Sequence, residues 1–119
     1  MQKIAVRIII YVWLYFYLSR AKPPWRLRLA WAQAYAKTLQ AGDVVLLDGE
    51  MGAGKTVFAK GVAKGMGIFD EVTSPTYAYM NDYDGRLFHY DCYRIQSPRQ
   101  AENLGLADYF ELGGVCLVE

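Results

Sequence analysis

The segment Gly49-Glu50-Met51-Gly52-Ala53-Gly54-Lys55-Thr56 carries a glycine, four residues, a second glycine, then lysine and threonine. That spacing suits a polyphosphate. Glycines let consecutive backbone N–H groups curl around a phosphate, and the positive end of a following helix adds to their pull. The candidate cradle is Gly49, Glu50, Met51, Gly52, Ala53, Gly54, Lys55, Thr56 and Val57. Within it Lys55 would neutralise β- and γ-phosphate oxygens. Thr56 would offer its hydroxyl to Mg²⁺, a hard cation that takes oxygen ligands and keeps several waters. Chance also writes this pattern into glycine-rich turns, so the deciding context is a strand directly before it and a helix directly after.

Both are legible. Val44 to Leu47 is an uninterrupted aliphatic run, as in a parallel strand buried on both faces, and Lys55 to Met66 reads as a helix with Phe58, Val62 and Met66 spaced by four and Gly67 closing it. Gly61 and Gly65 weaken that helix by about 1 kcal/mol each against alanine, unless they permit close packing on the sheet. Upstream, a helix is expected from Arg26 to Gln40 with Leu27, Ala30, Trp31, Ala34, Tyr35 and Leu39 as its apolar stripe. Downstream, Thr76 to Tyr83 and Arg86 to Asp91 form a hairpin around Asp84-Gly85. Ser97-Pro98-Arg99-Gln100 announces a helix to about Leu104, and Val115 to Val118 is another buried strand. The fold class is α/β: three layers around a mostly parallel central sheet, with an antiparallel hairpin.

Two acidic residues stand at strand ends. Glu119, closing an apolar strand, is placed to hold magnesium through water or to orient an attacking water; its plain alternative is a carboxylate emerging from the sheet. Asp91 closes the second hairpin strand. His89 lies two residues before it and shares its sheet face, but a lone histidine is more often structural, and it is not counted among the catalytic candidates. The tyrosines read as hairpin and core aromatics, with Tyr93 and Arg94 a candidate partner patch.

A chain of 119 residues, 54% hydrophobic and 21% charged, suits one domain. A net charge of +1 argues against a phosphate-backbone grip, so any RNA would be held by a partner. Cys92 and Cys116 lack metal-ligand spacing and read as half-buried thiols of a reducing compartment. Ile4 to Leu18 is apolar or aromatic except for Arg7. It falls short of the roughly 20 residues of a spanning helix, and no small-x-small cleavage site follows it. A buried first element, an atypical membrane anchor and an upstream extension stay open as readings. With Pro23-Pro24 as the boundary, residues 1–24 are set apart as an atypical extension and residues 25–119 form the domain.

Four further blocks, in order, resemble the TsaE (YjeE) family. Val72-Thr73-Ser74-Pro75-Thr76-Tyr77 looks like its V-T-S-P-T-[FY] segment, and Phe88 to Arg94 is similar to its H-x-D-x-Y-R stretch. Glu102 to Phe110 resembles its E-x-L-G-[LI]-x-[DE]-Y-F block, and Gly114 to Glu119 its G-[VI]-C-L-[IV]-E. The likeness runs from about Ala41 to Glu119. In the family a tryptophan and a further segment follow that glutamate, so the resemblance implies a domain incomplete at its C-terminus.

The resemblance implies a P-loop ATPase serving tRNA threonylcarbamoyladenosine synthesis in the cytoplasm, with ATP and Mg²⁺ as cofactors and the TsaB and TsaD proteins as partners. tRNA is met only through them, and a membrane only if the N-terminal run is an anchor. It assigns Lys55, Asp91 and Glu119 to catalysis, Thr56 and Glu119 to the metal, and Ser74 and Thr76 to a switch-like loop near the nucleotide. Ser74 and Thr76 also fit a turn held by Pro75 with hydroxyls bonded locally. Slow basal turnover stimulated by partners is expected, since no arginine occupies an obvious finger position. A small-molecule kinase would need a lid and acceptor pocket for which little length remains, and a GTPase an N-K-x-D segment, which is absent. A module that binds ATP without hydrolysing it is the alternative.

Overall fold

The computed structural model describes residues 8–11, 25–47, 55–73, 75 and 78–119. The elements, in chain order, are strand β1 (Ile8–Tyr11), helix α1 (Trp25–Ala36), β2 (Val44–Leu47), α2 (Lys55–Gly65), β3 (Met80–Tyr83), β4 (Leu87–Tyr90), α3 (Pro98–Asn103), a 3₁₀ turn (Leu106–Glu111) and β5 (Val115–Val118).

Among the described residues the strands form one sheet in the order β1-β2-β5-β4-β3. All neighbours run parallel except β3, which returns antiparallel beside β4. Four residues of the N-terminal apolar run supply β1, with Ile8 opposite Val44 and Tyr11 opposite Leu47.

Alternation along the strands sends side chains to two cores. Val45, Leu47, Leu87, Val115 and Leu117 meet α1 and α2 on one face. Val44, Phe88, Tyr90 and Cys116 meet the 3₁₀ turn on the other, with Ala101 of α3 beside them. The expected three-layer α/β architecture is what the chain adopts.

The two helices of the first face meet closely. A Cβ at Gly61 would stand 2.5 Å from Ala32 Cβ and 2.7 Å from the Leu29 carbonyl oxygen, so these glycines admit α1 rather than the sheet. Close approach also changes which face of α1 is buried. Ala32 and Ala36 are covered, whereas Leu27, Ala30, Trp31 and Ala34 of the expected stripe are exposed. Small residues opposite glycines win over larger apolar ones, and Trp31 stacks instead on Tyr35, ring centroids 5.6 Å apart.

The hairpin turn is as the Asp-Gly pair requires, with Asp84 and Gly85 both at positive φ and the Arg86 N–H donating to the Tyr83 carbonyl. β3, however, begins at Met80 rather than Thr76. Tyr79 is left-handed at φ 62, a conformation a strand cannot hold, and its N–H closes a turn onto the Pro75 carbonyl. Ser97 caps α3 as expected, its hydroxyl accepting the Gln100 N–H.

Candidate functional site

Because β1, β2, β4 and β5 are parallel, their carboxyl ends emerge at one edge of the sheet, the edge outside which open α/β folds bind ligands. β3 runs the other way, so the segment leading into it, with Thr73, Pro75 and Tyr79, arrives at that same edge. Register then fixes the neighbours. Val118 lies between Leu46 and Tyr90, and one residue further on, Leu47, Glu119 and Asp91 stand side by side. The ladder continues past the strand ends, the Glu119 N–H donating to the Tyr90 carbonyl and the Cys92 N–H to the Glu119 carbonyl, both at 3.0 Å.

Alternation also decides the face. Phe88, Tyr90 and Cys92 belong to the core of the second face, which puts His89 and Asp91 on the face covered by α2, together with Glu119. There the His89 Nε2 and Glu119 Oε1 lie 2.7 Å apart, the imidazole wholly buried and the carboxylate side chain 9% exposed. Asp91 Oδ1 accepts the Tyr93 N–H at 3.0 Å, and the Asp91 N–H donates to the carbonyl of left-handed Tyr79 at 2.8 Å. The segment before β3 is thus tied to Asp91 and, through Thr73, to Asn81 and Tyr83. Burial pushes the Cys92 thiol up, and the charges of Asp91 and Glu119 push it further, a sign of the negative field at this edge.

Helix α2 aims its amino end at the same place. It follows β2 after seven residues and has no acidic side chain in its first turn, so its positive end is not offset by a carboxylate there. Phe58, Ala59, Val62 and Ala63 are buried and anchor it to the sheet and α1, with Phe58 against Tyr35 at 5.7 Å. Thr56 and Val57 are half-buried in its first turn, and Lys55 opens it. Gly49, Glu50, Met51, Gly52, Ala53 and Gly54, with Ser74 and Thr76, lie outside the described residues, as does the Lys55 side chain. Their cradle and switch assignments remain expectations.

Oxygen donors and a negative field suit a hard divalent cation. Among the described residues no three His, Cys, Asp or Glu side chains converge as a ready-made metal cage, and Mg²⁺ commonly relies on one or two carboxylates plus substrate phosphates. The residue that sequence reasoning set aside is His89. Its two-residue offset from Asp91 carried the signal, but its partner Glu119 is 30 positions away and only β4–β5 pairing brings them together. Cys116, expected half-buried, is fully buried, and both cysteines are free thiols. Tyr93 is 75% exposed beside exposed Arg94. No helix among the described residues is long and apolar enough to cross a membrane.

The sequence profile of the threonylcarbamoyl adenosine biosynthesis protein TsaE matches residues 27–119, reaching back into α1. The protein named tRNA threonylcarbamoyladenosine biosynthesis protein TsaE from Bacillus subtilis is 47% identical over 91 residues, 74% of this chain and 56% of its own length. The protein of the same name from Treponema pallidum is 41% identical over 91 residues, 75% of this chain and 67% of its own length. That of Haemophilus influenzae is 39% identical over 79 residues, 64% of this chain and 50% of its own length. The chain therefore spans about half to two thirds of these relatives. A crystal structure of Bacillus subtilis YdiB superposes with a TM-score of 0.64 at 38% identity, covering 82% of this chain and 60% of that one. By the residues matched, the order of its elements and the edge at which they converge, the chain belongs to the TsaE family of threonylcarbamoyl adenosine biosynthesis proteins.

Proposed function

We propose that this chain is the Mg-ATP-binding and hydrolysing component of the tRNA threonylcarbamoyladenosine system, and that hydrolysis drives the cycle of a TsaB–TsaD complex in the cytoplasm. The observation that carries the reading is the convergence of α2's amino end with Asp91 and Glu119 at one edge of the sheet. The names of the relatives support the pathway.

In this reading the backbone of residues 49–54 cradles the phosphates, with Val57 in the helix turn behind it. Lys55 offsets charge on the β- and γ-oxygens, and Thr56 and Glu119 hold the metal, Glu119 through water. Magnesium, which Thr56 and Glu119 would hold, would supply neutralisation of the charge on the transferring phosphoryl group. Asp91, held by the Tyr93 N–H, faces the same space and is the candidate for positioning the attacking water. Ser74 and Thr76 act as switch hydroxyls. Most of the rate comes from positioning and fixed charge. Exposed Tyr93 and Arg94, just past Asp91, are the partner-facing candidates, and tRNA is met through the complex.

The test is Mg-ATP hydrolysis by this chain with and without TsaB and TsaD, with Lys55→Ala as the blank. Lys55-dependent turnover that the pair accelerates is expected. Equal rates with and without them would count against the coupling, and nucleotide binding unchanged in Lys55→Ala would remove the cradle. Binding that depends on Lys55 without turnover would instead favour a non-hydrolysing module.

A further inference from the structure

Glu119 occupies the position argued above for the metal side of the site, yet a carboxylate at a strand end can rotate its plane and present either oxygen. The structure shows what prevents this. Its backbone is fixed on both sides, the N–H to Tyr90 and the carbonyl to Cys92, and its Oε1 lies 2.7 Å from His89 Nε2. His89 is itself 0% exposed, in the middle of β4–β5 pairing, with Leu117 as its register partner. Its other nitrogen, Nδ1, has no hydrogen-bond partner among the described residues.

These facts together select one arrangement. A carboxylate accepts and does not donate, so Nε2 carries a proton toward it. A proton on Nδ1 as well would be a buried donor with no acceptor among the described residues, which is costly. The ring therefore presents Nε2–H to Glu119, with Nδ1 unpartnered among the described residues.

We infer that His89 is a positioning residue: its Nε2–H fixes the carboxylate of Glu119 through Oε1 and so leaves Oε2 as the oxygen that takes the metal-bound water. The inference rests on the proposed metal-side role of Glu119. A partner of this kind stands behind Glu119 and the water it holds, and orients that carboxylate without touching the reacting atoms. Its removal typically weakens metal affinity or activity by about 10- to 100-fold.

His89 is the chain's single histidine, so its ring can be read without assignment. In the ¹⁵N-histidine-labelled chain without nucleotide or magnesium, the ring should show one protonated nitrogen, Nε2, slow to exchange with water. Glu119→Ala should move that signal and speed its exchange. The second readout is the Mg²⁺ concentration that half-saturates ATP binding. His89→Phe should raise it by about 10-fold or more, while ATP affinity without magnesium stays within about twofold. His89→Gln, whose amide N–H reaches the same point, should restore most of the loss, and the shorter His89→Asn should not. A ring signal indifferent to Glu119→Ala, or a folded His89→Phe with unchanged magnesium dependence, would overturn the inference. So would His89→Gln failing as far as His89→Phe, since that pattern marks packing alone. If Glu119→Ala itself leaves the magnesium dependence intact while its ring signal moves, the contact is real and the metal-side reading has failed, taking the inference with it.

Discussion

Replacing Gly61 by alanine should destabilise the protein, although helix propensity alone says the opposite. Alanine is favoured over glycine within a helix by about 1 kcal/mol, and Gly61 lies inside α2 (Lys55–Gly65). Against this, the new Cβ would stand 2.5 Å from Ala32 Cβ and 2.7 Å from the Leu29 carbonyl oxygen, where carbon contacts settle at about 3.5–4.0 Å. One neighbour is backbone and the other a side chain with no torsion to yield, so α2 must withdraw from α1 by about 1 Å. Overpacking of this kind costs about 1–3 kcal/mol; with rigid neighbours the upper half applies, and the net loss is roughly 1–2 kcal/mol after the propensity gain. At about 4–8 °C per kcal/mol for a domain near this size, the melting temperature should fall by roughly 5–15 °C in calorimetry, while Lys60→Ala on the exposed face of the same helix should stay within about 0.5 kcal/mol. Because α2 also carries Thr56, the proposed Mg-ATP hydrolysis should slow with it, since a misplacement of about 1 Å can cost up to 100-fold in rate. Helix propensity and overpacking have opposite signs, which makes the experiment decisive: a Gly61→Ala protein that melts higher than the parent would refute the close packing of α1 on α2.

Three further outcomes follow from particular contacts. Tyr90→Phe removes the donor 2.8 Å from the buried Leu106 carbonyl, and urea unfolding should register a loss of about 1–3 kcal/mol. Burial pushes the Cys116 thiol from 9.0 up to about 11. Between those values the unfolded chain ionises while the folded one keeps its proton, so stability is full below pH 9 and is lost as pH rises through 11. That loss amounts to about 2–3 kcal/mol, and Cys116→Ala should flatten the slope of unfolding free energy over that window by this amount. At Gly85, φ is 67 and an added Cβ meets nothing within 4 Å, so Gly85→Ala isolates backbone strain. It should cost about 1–2 kcal/mol, and Gly85→Asn visibly less, as thermal melts of the pair would show.

The elements that rest on local chemistry were legible in the chain: the aliphatic run of β2, the Asp-Gly turn, the Ser97 cap. Those set by tertiary contact were not. Leu27 and Trp31 looked like the inner face of α1, but Gly61 and Gly65 on a helix 30 residues away draw its small residues inward instead. Tyr79 reads as a strand residue by composition, and only its bonds to Pro75 and Asp91 explain a left-handed backbone there. The same holds for the site. Thr56, Asp91 and Glu119 announce themselves by motif and strand-end position, whereas the tie between His89 and Glu119 depends on two strands pairing, which no local pattern encodes.

The strand order has a consequence for how the protein comes into being. β5 sits in the middle of the sheet although it follows every other described strand in sequence. Until it arrives, β1 and β2 on one side and β3 and β4 on the other have no edge in common, and Glu119 has not yet met His89. Before β5 pairs, the inner edges of β2 and β4 stand open, and pairing across so long a separation is slow. Exposed edges invite partners of the wrong kind while they wait. The edge that carries Asp91 and Glu119 is consequently assembled only once β5 has joined the two pairs.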